Sequence, residues 1–165
     1  MVRWMAAAIL LIGSTAGLVL AQTKYGVVVT PEKGVDYAAF KTYTWKRGLP
    51  SPVKAIDAGI TASVDRELTA LGMKRAESGP ADVSVTYASQ ARTDVDLKGK
   101  ADAKGLFPEL TVGTLIVAFD SPTDARRLLR IRADMPVQKD PAQMDAEINR
   151  VVAAMFAEYP TRKKK

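Results

Sequence analysis

Apolar and polar positions alternate with two different periods along this chain, and the switch between periods outlines its elements. Residues 25–30 are Val-rich and end at Pro31 and Gly34, which predicts a first strand closed by a turn. A turn around 36–40 leads into 42–46, where Tyr43 and Trp45 lie two apart and share one face of a second strand. Ser51-Pro52 reads as a helix start. Ile56, Ile60, Val64, Leu68 and Leu71 then recur at helical spacing, with Asp57, Thr61, Asp65 and Arg66 expected to face elsewhere. Gly72 ends that helix. Over 81–88, Val83, Val85 and Tyr87 alternate with Asp82, Ser84 and Thr86, as in a half-buried strand.

The stretch 92–108 is rich in Gly, Lys and Asp and predicts a long loop. Strands at 111–119 and 126–133 flank turn chemistry at Asp120-Ser121-Pro122-Thr123-Asp124. Asp140-Pro141 opens a last helix, with Gln143 placed for a capping box. Its stripe is Met144, Ile148, Val151, Val152, Met155, Phe156 and Tyr159. The order is β-β-α-β-β-β-α. Two helices with one apolar stripe each predict a two-layer α+β sandwich, both lying on one face of a mostly antiparallel sheet.

The first residues carry a different pattern. Arg3 precedes an apolar run over 5–20, and Val19-Leu20-Ala21 has the small-residue form of a signal cleavage site, with Ala21 and Gln22 flanking the cut. The run is interrupted by Gly13, Ser14, Thr15 and Gly17, and is shorter than the roughly 20 residues that span a bilayer. The expectation is a signal peptide over 1–21, one α+β domain over 22–160 and a basic disordered tail over 161–165. No membrane span is expected after processing. Gln22 stands where a lipoprotein carries Cys, so no lipid is expected either. The processed protein is predicted to be periplasmic or secreted.

Composition narrows the chemistry. With no Cys and no His among 165 residues, thiol nucleophiles, imidazole acid/base catalysis, and ordinary zinc or haem ligation are excluded. The formal charge of +6 comes mostly from Arg3 and the terminal Arg162, Lys163, Lys164 and Lys165. The body is nearly balanced, which argues against nucleic acid as a partner.

Phe40-Lys41-Thr42-Tyr43-Thr44-Trp45 resembles an aromatic signature of a bacterial envelope family, mostly lipoproteins, called domain of unknown function 4136. Ala81-Asp82-Val83-Ser84-Val85-Thr86-Tyr87, Gly113-Thr114-Leu115 and Asp120-Ser121-Pro122 are similar to its later strands and hairpin. Residues 151–160, ending in Tyr159-Pro160, resemble its closing helix. This chain departs from the family in lacking the lipidation Cys and a Trp often found in the strand after the hairpin, where Leu128 to Arg132 stand. The resemblance implies an α+β fold and an envelope location. It supplies no catalytic residues.

The remaining constellations are modest. Asp94, Asp96, Gly99 and Asp102 follow part of a calcium loop, but Lys98 occupies a ligand position and Gly105 stands where a bidentate Glu belongs. That predicts a solvated loop and no metal. Gly113-Thr114 lacks the Gly-rich turn and helix start of a phosphate loop, so no cofactor is expected. Tyr43, Trp45 and Tyr87 form either a stacking platform or, by preference, core. Arg126, Arg127, Arg130 and Arg132 are candidate anion contacts, as are Arg162, Lys163, Lys164 and Lys165. The expected function is a non-catalytic envelope module that binds a protein, a glycan or an anionic lipid surface. A pocket between sheet and helices would instead make it a small-ligand carrier. Two acids facing one cleft would make it a carboxylate-dependent hydrolase.

Overall fold

A computed structural model describes residues 25–162, which places the signal-peptide reading of 1–21, with Ala21 and Gln22, and the terminal Lys163, Lys164 and Lys165 outside the described residues. The elements are β1 (Val28–Pro31), β2 (Thr42–Trp45), α1 (Lys54–Ala70), β3 (Lys74–Arg75), β4 (Val83–Val95), β5 (Glu109–Asp120), β6 (Arg127–Pro136) and α2 (Pro141–Ala157). The predicted order holds, with the two-residue β3 added directly after α1. The strands form one open sheet in the order β1-β6-β5-β4-β2-β3. Its pairs are antiparallel from β1 through β4 and parallel at β4-β2 and β2-β3.

One face of this sheet carries Tyr43, Val83, Val85, Tyr87, Leu115, Val117, Phe119, Leu129 and Ile131, aligned across the strands by the register. Against them pack Ile60, Val64 and Leu68 of α1 and Ile148, Val152, Met155 and Phe156 of α2, in a single buried cluster. This is the two-layer α+β sandwich that two apolar stripes require. Ser63 Oγ donates to Asn149 Oδ1 at 2.7 Å, tying the two helices together where they meet.

Helix ends follow local chemistry. Asp140 accepts the Gln143 N–H at 2.8 Å, so Pro141 begins α2 as expected. Gly72 takes φ +84° and the Met73 N–H reaches back to the Leu68 carbonyl at 3.0 Å, a left-handed stop for α1. The start of α1 differs from expectation. Ser51-Pro52 lies before the helix, and the capping residue is Val53, whose side chain offers no acceptor.

The segment 92–108 also divides differently. Its first four residues belong to β4, which pairs with β5 out to Val95 opposite Glu109. Backbone pairing needs no apolar alternation, and these residues are exposed because no helix covers them. The irregular part is 96–108, closed by the Asp96 N–H on the Pro108 carbonyl at 2.8 Å. Together the outer halves of β4 and β5 form a hairpin arm whose β4 side is exposed throughout.

Candidate functional site

Two polar clusters arise on opposite faces of the sheet. The first lies where α1 crosses the β2 edge. Asp57, Thr61 and Asp65 recur every fourth residue and so share one stripe of α1, beside the apolar stripe. The Tyr43 hydroxyl donates to Asp65 Oδ1 at 2.6 Å, and the Trp45 ring N–H donates to the same oxygen at 2.8 Å. The Tyr87 hydroxyl donates to Asp57 Oδ1. Arg75 of β3 approaches Asp65 Oδ2 at 3.6 Å. Burial, reinforced by the Asp65 carboxylate, raises the Tyr43 hydroxyl above the ordinary tyrosine range, so it stays a donor.

These aromatics are therefore fastenings of α1 to the sheet. Trp45 meets Tyr43 at 84° and Tyr87 at 87°, edge to face. A stacking platform needs coplanar exposed rings, and this row has none. Asp57 and Asp65, expected to face away, instead point at the sheet. Each is bound to an aromatic donor. The signal that reveals them is the i, i+4 repeat of Asp57, Thr61 and Asp65 alongside the apolar stripe. A groove of about 340 Å³ beside them is lined by Trp45, Lys46, Thr61, Arg75 and Tyr87.

The second cluster occupies the helix-free face. Side chains alternate along a strand, so even-numbered residues of β4, β5 and β6 stand there. Asp134 is the centre of a network. It accepts from Arg132 at 2.9 Å, from the Thr114 hydroxyl at 2.7 Å and from Arg92 at 3.3 Å. Burial acts to raise the Asp134 carboxyl, but Thr114, Arg92 and Arg132 outweigh it and leave its pKa below the ordinary aspartate value. At the hairpin end, Arg127 Nε donates to Asp120. Arg126 is shared between Glu32 at 3.6 Å and Asp124 at 3.8 Å.

The four arginines predicted as one group thus separate. Arg126, Arg127 and Arg132 neutralise acids of their own fold. Arg130 alone of the four has no acid within ion-pair distance among the described residues. It walls a concavity of about 200 Å³ whose other sides include Leu49, Thr86, Ala88, Ile116 and Ala118. The far wall is built by 46–50, which continue past β2 alongside β4. Leu49 donates its N–H to the Tyr87 carbonyl at 3.0 Å and accepts from the Ser89 N–H at 2.9 Å. Gly48 is required at this crossing, because a Cβ there would overlap the Tyr87 carbonyl oxygen. On the same face, the Ser84 hydroxyl is buried without a hydrogen-bond partner among the described residues.

Other predicted residues are placed elsewhere. Arg162, grouped with the tail on sequence, donates to Glu67 of α1 at 3.0 Å, so it is held against the folded domain. In the partial calcium loop, Asp94 belongs to β4. Asp96 and Asp102 fold their own loop, accepting the Lys98 N–H at 3.0 Å and the Lys104 N–H at 2.8 Å. Among the described residues no group of three acids is placed to hold a metal ion. No described helix is long and apolar enough to cross a membrane. Asp82 fastens the start of β2, accepting from the Lys41 and Thr42 N–H groups and the Thr42 hydroxyl.

Residues 27–161 match the model of the family described as domain of unknown function (DUF4136). The chain belongs to that family. Among curated protein sequences none matches it. Several solved structures are similar to this chain at low identity. A PDZ domain protein from Parabacteroides distasonis aligns with 85% of this chain at a TM-score of 0.57 and 16% identity, and this chain spans 36% of that protein. A PelC dodecamer from Paraburkholderia phytofirmans aligns with 80% of this chain and 97% of its own at 0.49 and 10% identity. A neuraminyllactose-binding hemagglutinin homolog from Helicobacter pylori covers 75% of this chain and 88% of its own at 0.45 and 11% identity. The first of these likenesses shows the fold and nothing more.

Proposed function

We propose that this domain is a non-catalytic binding module of the bacterial envelope, exported by the segment 1–21, which receives an anionic group on the helix-free face of its sheet. The observation that carries the reading is Arg130, whose charge is left over after its neighbours are paired. Arg130 lines one concavity with the apolar Ala88, Ile116 and Ala118, with Thr86, and with Arg127, whose charge is taken by Asp120. That combination suits a carboxylate or phosphate joined to a small apolar body, because a guanidinium donates two parallel hydrogen bonds to such groups.

The competing readings find less support. A carrier needs room between sheet and helices, and that space is filled by Phe119, Phe156, Ile60, Leu68 and Leu129. The cavity of about 270 Å³ between the starts of α1 and α2 lies at the end of the layers, lined by Val53, Ile56, Met144 and Ile148. A hydrolase needs free acids in a shared cleft, whereas Asp57 and Asp65 each hold an aromatic donor.

A photo-crosslinking amino acid placed at Leu49 or Ile116 in cells tests the proposal against one placed at Ala62 on the outer side of α1. Adducts from the sheet positions, lost in Arg130→Glu, support it. Adducts that survive Arg130→Glu, or that come only from Ala62, overturn it. The export half is checked separately by intact mass, which is expected to begin at Gln22.

A further inference from the structure

The arm of β4 has a bare edge with an unusual sequence. β2 covers β4 only at Val83, Ser84 and Val85, and the segment 46–50 covers it as far as Ser89. The outward groups are those of odd-numbered residues, since Lys46 bonds the Val85 carbonyl, Leu49 the Tyr87 carbonyl, and Ser89 donates to Leu49. The register of β4 against β5 is unbroken from Ser84 to Val95. Alternation therefore turns the N–H and C=O groups of Ala91 and Thr93 outward too, with no neighbouring strand beside them among the described residues. Every residue from Gln90 to Val95 is exposed. From Ala91 to Thr93 the edge carries no proline, bulge or lysine to block pairing. At Val95 the N–H is taken by Asp94 Oδ1 at 2.9 Å and the carbonyl by the Leu97 N–H at 3.0 Å, so the open backbone groups are those of Ala91 and Thr93.

The edge sequence is self-complementary. Laid antiparallel against a copy of itself about Thr93, Arg92 falls opposite Asp94 and Asp94 opposite Arg92. Ala91 falls opposite Val95 on the other face. Directly opposed unlike charges and apolar pairs are the favourable cross-strand combinations. Thr93 would face its own copy as a hydrogen-bonded pair, each exchanging N–H and C=O with the other, which is what a two-fold axis demands. Val95, half exposed at 49%, would lose part of that exposure.

We propose that a second copy of this chain docks on the β4 edge, antiparallel and centred on Thr93, with reciprocal Arg92–Asp94 pairs. The contact is short, so it belongs to a weak or locally concentrated dimer. It is independent of the Arg130 concavity.

The chain has no cysteine, so a single introduced thiol reads the contact alone. In the intact chain, Thr93→Cys is expected to oxidise to a disulfide-linked dimer. The opposed Cα atoms of such a pair lie about 5.5 Å apart, within the disulfide range of about 4.4–6.8 Å. Ala62→Cys on the outer side of α1 is the control and should remain monomeric. Adding Asp94→Arg to Thr93→Cys sets like charges opposite one another and should slow crosslinking at least about tenfold, a change worth about 1.4 kcal/mol. Adding Arg92→Asp as well restores the opposite signs and should restore the rate. Thermal melting of each variant checks folding, since Arg92 also braces Asp134. Crosslinking of Thr93→Cys no faster than Ala62→Cys overturns the proposal. So does crosslinking that ignores the charge reversal, or reversal that the double exchange fails to rescue in a folded protein.

Discussion

On the helix-covered face of the sheet, aromatic donors near α1 end on carboxylates, while on the bare face Arg130 ends on no acid among the described residues. Both faces belong to the same strands, so the difference is not one of secondary structure. It reflects what each face is exposed to. A polar group enclosed by helices costs stability unless it is paired, so the aromatic donors beside α1 have their acceptors arranged in advance. A guanidinium facing water is already solvated and can stay single at little cost. Of the two faces of the sheet, the bare one can therefore keep an unpaired charge, and between them that is where a ligand-binding cation is to be sought.

The strongest test of this contrast removes apolar bulk from the covered face. Phe156 and Ile148 are essentially inaccessible, at 0% and 1% exposure. Phe156→Ala or Ile148→Ala should cost about 2–5 kcal/mol in thermal or denaturant unfolding. Unchanged midpoints would mean that α2 docks loosely, and the covered face would lose its meaning. Next in size is Asp65→Ala, which strands the Tyr43 hydroxyl and the Trp45 N–H. Bonds to a charged acceptor contribute about 1.5–3 kcal/mol, and a loss in that range is expected. Combining Asp65→Ala with Tyr43→Phe should cost less than the sum of the two, because one bond is being removed twice. Strict additivity would show that the short contact contributes nothing.

Asp82 is a committed charge at the bare face's margin, and it offers a pH test. The Lys41 and Thr42 N–H groups, with the Thr42 hydroxyl, lower its pKa below the ordinary value. A carboxyl lowered on folding stabilises above its unfolded pKa of about 3.9. That contribution is lost as pH falls through the lower folded value. Asp82→Asn should thus cost about 1 kcal/mol at pH 7, discounted for exposure. The gap to the unmodified protein should close as pH drops below about 4. A gap that stays constant down to pH 2 would assign the effect to geometry and not to charge.

Much of this was legible from residue order. The α2 stripe, the Gly72 stop, the Asp140 cap and the turn between β5 and β6 all follow from short-range rules, and the family resemblance agreed with the fold. What escaped depends on reach. Periodicity sorts residues into inward and outward, so Asp57 and Asp65 read as outward, yet a tyrosine or tryptophan is long enough to meet the flank of a helix. β3 has two residues and no period to detect. The outer end of β4 looked like a loop because Arg92 to Asp94 are polar, although pairing with β5 depends on backbone. Sorting the arginines turned on which side chains meet, and only Glu32, a partner of Arg126, is distant in sequence. Asp124, Asp134 and Asp120 lie within seven residues of Arg126, Arg132 and Arg127, yet nearness alone does not tell which arginine is left without an acid.

The smallest expected effect bears most directly on function. Arg130→Gln removes the charge but keeps a polar side chain of similar reach. If Arg130 braces nothing, stability should change by no more than about 0.5 kcal/mol, as for surface positions without special contacts. Arg132→Gln should cost more than Arg130→Gln, because Arg132 holds Asp134 at 2.9 Å and its loss leaves a carboxylate less well paired. Parallel melts of the two variants decide the matter. Equal losses would mean that Arg130 serves the fold in the same way as its neighbour. The bare face would then hold no spare charge, and the concavity beside Leu49 would lose the feature that singles it out. A silent Arg130→Gln together with a destabilised Arg132→Gln leaves Arg130 as the one arginine of the group whose charge the fold does not use.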